Sequence, residues 1–162
     1  MRKQPTLWFS LCLSSLVATV SLVATTLVKT SATPVQVIAQ ANRSSNVGGP
    51  LAKQLQGKPV VVDIYASWCP ACKNIAPTLS QLKQQYGGRV QFVVLDVTDK
   101  SKASQAESRA RQLGLGQFFA ANKSQTGLVA IIDPATGNIL AQHRNNASKS
   151  AYTSILNSAL SK

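Results

Sequence analysis

Val60-Val-Val-Asp-Ile-Tyr-Ala-Ser-Trp-Cys-Pro-Ala-Cys-Lys-Asn-Ile-Ala-Pro77 is the stretch that decides the fold. Pro59 to Ala66 is an apolar, β-branched run of strand length, and hydrophobicity this continuous predicts a strand covered on both faces. A helix is expected just after Cys69. Pro70 suits the first helical position, and Ile75, Leu79, Leu82 and Tyr86 follow at helical spacing until Gly87-Gly88. Pro77 falls inside this helix and is expected to kink it, because it cannot donate to the carbonyl of Lys73.

Working outward, Val90 to Val97 reads as a second strand, and Ala103, Ala106, Ala110 and Leu113 mark a second helix ending near Gly114. Leu128 to Ile132 and Ile139 to Gln142 are two more strands, joined by the turn Asp133-Pro-Ala-Thr-Gly-Asn138 into an antiparallel hairpin. Tyr152, Ile155, Leu156, Ala159 and Leu160 share one face of a closing helix, and residues 51–56 suit a short helix ending at Gly57. The order β-α-β-α-β-β-α implies an α/β fold with a mixed central sheet flanked by helices.

Cys69 and Cys72 sit where the first strand passes into the first helix. At a helix N-terminus, unpaired backbone N–H groups and the helix dipole stabilise a thiolate. In Cys-x-x-Cys motifs so placed, the first thiol can fall from about 8.5 to between about 3.5 and 7.5. Cys72, nearly one turn further in, is expected to be the more buried and in reach to resolve a mixed disulfide on Cys69. A structural zinc would need about four ligands, and the only other strong candidate is His143. His143 is expected at an exposed strand end without a role. The competing reading is a module that binds a soft metal such as copper(I) on the two thiolates.

The segment from Val60 to Pro77 resembles the active-site segment of the thioredoxin superfamily: Trp68 precedes the first cysteine, Lys73 follows the second, and Pro77 lies five residues beyond it. The leader and the Ile132-Asp-Pro-x-x-Gly137 hairpin resemble in particular the exported or membrane-anchored thioredoxin-like disulfide reductases. The resemblance implies a thioredoxin-like fold over roughly residues 53–161 and a protein-disulfide oxidoreductase, with the reductase direction favoured. Asp63 matches the buried acid below the redox pair, which can accept the proton of Cys72. Trp68 is expected as an apolar lid over the sulfurs or as core. Thioredoxin-like proteins also carry a cis-proline facing the redox pair, where the neighbouring backbone binds substrate. The matching position here is Gly127, preceded by Thr126, and no proline occurs between Pro77 and Pro134. Glycine is expected to keep that loop's conformation at some entropic cost, and to leave the sulfurs more open to metal. The catalytic set is thus Cys69, Cys72 and Asp63, and the substrate-binding set Trp68, Thr126 and Gly127. Protein disulfides are the expected substrates, no cofactor is called for, and a reductase in an oxidising compartment implies a transmembrane electron donor.

The remaining sequence concerns address. Arg2 and Lys3 precede an uncharged run from Leu7 to Val28, and Ala39-Gln40-Ala41 fits a small-x-small cleavage site. Two readings of residues 1–41 stand, a cleaved signal peptide and a membrane anchor, and both place the domain outside the cytoplasm. Cys12 travels with this segment. Residues 42–50 (NRSSNVGGP) read as a flexible linker, and 51–162 as the domain. The net charge is +12 over 162 residues. The basic residues are scattered singly, without an aromatic platform, which suits association with an anionic membrane or acidic partners and argues against nucleic acid.

Overall fold

A computed structural model describes residues 46–162; the expected leader or anchor and residues 42–45 of the expected linker lie outside them. Strand β1 (Val60–Tyr65) is central, bonded in parallel to β2 (Gln91–Asp96) and antiparallel to β3 (Leu128–Ile132), which pairs antiparallel with β4 (Ile139–Arg144). The sheet is mixed, in the order β2-β1-β3-β4. Helix α1 (Pro70–Tyr86) follows β1, α2 (Lys100–Gln112) and α3 (Gly116–Asn122) connect β2 to β3, and α4 (Lys149–Leu160) closes the chain.

Side chains of successive strand residues alternate between faces, so β1 feeds two cores. Val60, Val62 and Ile64 pack with Ala106, Ala110, Phe118 and Phe119 of α2 and α3. Val61 packs with Ile75, Leu79 and Leu82 of α1 and with Tyr152 and Leu156 of α4. With both faces covered, β1 must be apolar throughout, and its one acid, Asp63, is left inside. Helix α1 runs from Pro70 to Tyr86 through Pro77, and Thr78 Oγ1 just beyond the proline donates to Ala147 O at 2.8 Å. Tyr86 OH donates to Asn157 Oδ1 at 2.7 Å, which ties the far end of α1 to α4.

Three expectations change. Helix α3 is additional to the expected order. Its seven residues, GQFFAAN, are too few for a helical period to stand out, and Leu115 at its N-cap makes no side-chain capping bond. Phe118 and Phe119 hold it by burial against the sheet. Residues 46–50 are not a tether. Val47 is buried and its N–H donates to Gly137 O at 2.9 Å, while Asn46 Nδ2 donates to Thr136 O and Asn138 Oδ1. The Gly/Ser-rich composition conceals one apolar anchor. The short helix expected over 51–56 is a single 3-10 turn, Lys53–Leu55. Among the described residues no helix is long and apolar enough to cross a membrane.

Candidate active site

Cys69 is the N-cap of α1, in extended backbone, with Pro70 at the first helical position. Its sulfur accepts from the Cys72 N–H at 3.2 Å, satisfying one of the orphan donors at the helix start. The Cys72 thiol faces the Ile64 carbonyl of β1 at 3.8 Å. Both cysteines are free thiols and both are only 2% exposed. The expected asymmetry between them is therefore one of hydrogen bonding, not of exposure. Desolvation pushes the Cys69 thiol up. Hydrogen bonds from the Cys72 and Thr126 side chains and from the Cys72 and Ala71 N–H groups outweigh it, so Cys69 lies below the ordinary thiol value. Burial, and then the hydrogen bond to Cys69, push Cys72 up to about 11.

Asp63 is buried, as its apolar neighbours imply, with 7% exposure. Burial raises its carboxyl to about 6 against a pull downward from Lys83, and Oδ1 has no hydrogen-bond partner. The charge of Asp63 adds to the upward push on Cys72, which places the carboxyl within electrostatic reach of that thiol.

Trp68 is not part of the core. It is 60% exposed and its Nε1 donates to Thr98 O at 3.0 Å. Thr98 is a site residue that the sequence reading missed. Its hydroxyl accepts from Ser67 N–H at 2.9 Å, and its own N–H donates to Asp96 Oδ1 at 2.8 Å. An Asp-x-Thr pair just past a strand is the available signal, since such side chains bond the backbone two residues on. Asp96 is further held by Lys102 at 3.3 Å.

The loop facing the sulfurs departs from expectation. Gly127 lies where the resemblance puts it, against Ala71 and Cys72, but its φ is +78°. Proline is fixed near −65°, so glycine here does not preserve a proline-like path. A Cβ would lie 2.6 Å from Ala71 Cβ and 3.4 Å from Cys72 N, so the loop closes on the redox helix where it was expected to leave it open. Gly127 N–H donates to Ile64 O at 2.8 Å and Gly127 O accepts from Asn145 N–H at 3.0 Å. Its main chain is thus committed to β1 and to the chain beyond β4. Thr126, buried beside it, directs its side chain to the Cys69 sulfur.

His143 is not exposed. It is half-buried on β4, its ring meeting Tyr152 edge-on at 4.9 Å, with Nε2 enclosed.

The family model described as thioredoxin matches residues 36–112, which include the strand, the dithiol and α1. The fold of the described residues is thioredoxin-like. The thiol:disulfide interchange protein TxlA homolog of Synechocystis sp. is 36% identical over 95 residues, 58% of this chain and 52% of that protein. The chloroplastic thioredoxin-like protein HCF164 of Oryza sativa is 49% identical over 49 residues, 30% of this chain and 18% of its own. The chain thus spans about half the length, or less, of these curated relatives. A thiol:disulfide interchange protein of the thioredoxin family from Chlorobium tepidum superposes with a TM-score of 0.50 at 19% identity, over 72% of this chain and 96% of that one, a likeness of fold. The thioredoxin match thus falls on the segment that carries the dithiol, and the names of these relatives include a thiol:disulfide interchange protein.

Proposed function

We propose that the protein reduces protein disulfides outside the cytoplasm, through Cys69 as nucleophile, Cys72 as resolving thiol and Asp63 as the base for Cys72. The observation that carries this reading is the opposed tuning of two thiols one helical turn apart, Cys69 held down and Cys72 pushed up. Cys69 as thiolate attacks one sulfur of a substrate disulfide. A Cys69–substrate bond forms, the substrate S–S bond breaks, and the first substrate thiolate leaves.

Part of what raises Cys72 is Cys69 itself, through its hydrogen bond and charge. Once Cys69 is bonded to substrate its charge is gone, and Cys72 becomes easier to deprotonate. At neutral pH the Asp63 carboxyl, at about 6, is mostly ionised and able to take that proton. The Cys72 thiolate then attacks Cys69, closing the Cys69–Cys72 disulfide and releasing the second substrate thiol. Two electrons pass from the dithiol to the substrate, and an electron donor across the membrane restores the pair. Exposed Trp68 offers an apolar platform to the incoming chain, and Thr126, at the Cys69 sulfur, flanks it together with Gly127. The basic n-region and uncharged run at residues 2–28 support export or anchoring.

One experiment tests both parts. Cys69→Ser is expected to reduce insulin no faster than buffer with dithiol alone, and residual activity close to wild type would overturn the nucleophile assignment. Cys72→Ser, expressed as the full chain, is expected to accumulate mixed disulfides with exported proteins. Capture of cytoplasmic proteins alone would overturn the localisation.

A further inference from the structure

The face of the sheet covered by α1 and α4 carries a row of four residues, one from each strand in register: Val94, Asp63, Val129 and His143. Directly paired residues of neighbouring strands project to the same face, so Asp63 and His143 flank Val129. Among the described residues, Asp63 Oδ1 and His143 Nε2 are the two buried side-chain polar atoms without a hydrogen-bond partner. They stand on the same face, with one strand, β3, between them.

Their needs are complementary. Asn146 Oδ1 accepts from Ser148 N–H at 2.9 Å, which turns the Asn146 Nδ2 donor toward His143 Nδ1 at 3.5 Å. Nδ1 is then the acceptor of the neutral ring, and Nε2 carries the hydrogen. Asp63 Oδ1, when the carboxyl is ionised, only accepts. Tyr152 from α4 neighbours both: its ring packs on His143, and the Asp63 charge reaches its phenol. Its hydroxyl satisfies neither, being committed to Asn146 O at 2.7 Å. A buried donor and acceptor on opposite sides of one valine are the setting in which proteins hold an internal water.

We propose that His143 is a positioning residue for Asp63, its Nε2–H acting through one buried water to hold the carboxylate form and orientation that serve Cys72. The inference rests on the base role proposed for Asp63. The water accepts from Nε2–H and donates to Asp63 Oδ1. No proton travels this path, and the second carboxyl oxygen is left for the Cys72 proton. The titratable and charged groups that bear on Asp63 are Cys72 and Lys83 from α1, Tyr152 from α4 and His143 from β4, while β2 contributes only Val94. A donor to the carboxylate lowers its proton affinity, so removing His143 should raise the Asp63 midpoint by about one unit.

The test is a carboxyl-carbon NMR titration of Asp63 in the reduced full chain. His143→Phe is expected to move the midpoint up by about one unit. His143→Gln, which keeps an N–H donor, should return most of that shift. In the wild-type protein, with no substitution to disturb folding, the His143 Nε2 resonance should change across the Asp63 midpoint. Equal midpoints in wild type and both variants, or an Nε2 resonance indifferent to Asp63 protonation, would overturn the proposal. No disulfide substrate is present in this titration. Loss of the reductase reading would therefore leave the result standing, and a failed titration would leave the dithiol reading intact.

Discussion

The two walls of the redox site obey different rules. On one side, the start of α1 is built by local chemistry: an N-cap sulfur, a proline at the first helical position and apolar residues at helical spacing. On the other, the Thr126–Gly127 loop adopts a left-handed backbone at Gly127 because Ala71 leaves no room for a side chain and Ile64 O takes its N–H. The same neighbours would be there whatever residue the chain offered at 127, and only glycine meets both demands. The site is thus half specified by a contiguous motif and half by what that motif, once folded, forces on a distant loop.

The sharpest way to break this contrast is Gly127→Pro. Proline cannot adopt φ of +78° and forfeits the hydrogen bond to Ile64 O, which together should cost roughly 3 kcal/mol or more. Gly127→Ala keeps the N–H and should cost less, while still meeting Ala71 Cβ at 2.6 Å. Urea midpoints measure both. A proline variant as stable as wild type would mean that local preference, not packing against α1, sets this loop.

Asp63 sharpens the comparison from beneath. Its carboxyl stands at about 6 in the fold against an ordinary 3.8, so folding prefers the neutral form. The stability this gives is full below about pH 4 and is lost as pH rises through about 6. Asp63→Asn should therefore match wild type near pH 4 and exceed it above pH 7, by at most about 3 kcal/mol because a buried amide still lacks partners. The same variant should resolve mixed disulfides more slowly above pH 6, where wild-type Asp63 is ionised. Stability curves for the two proteins that run parallel from pH 4 to pH 8 would contradict the burial argument.

The smallest effect belongs to Trp68, on the locally built wall. At 60% exposure it contributes little to the core, so Trp68→Ala should change stability by less than about 1 kcal/mol. It should raise KM for protein disulfides while leaving a small aromatic disulfide reduced at the wild-type rate. An equal loss on both substrates would place Trp68 in the chemistry and not in docking.

The four strands, the two long helices around them and the closing helix were legible because each has its own period or length of apolar residues. Cys69 and Cys72 were legible because their spacing and Pro70 fix a helix start without outside help. Helix α3 was not, since seven residues held by two phenylalanines carry no period. Val47 was hidden by polar neighbours, and its role depends on Gly137, ninety residues away. The sequence by itself determined the dithiol, its place at a helix N-terminus and the burial of an acid on the central strand, because these follow from contacts within about one turn or from a continuous apolar run. Only the tertiary structure decided that Gly127 turns left-handed against Ala71, that Thr98 braces Trp68, and that His143 faces the same buried row as Asp63. Each of those depends on strand register and on the close approach of segments far apart in the chain, and neither period nor composition encodes which residues will meet.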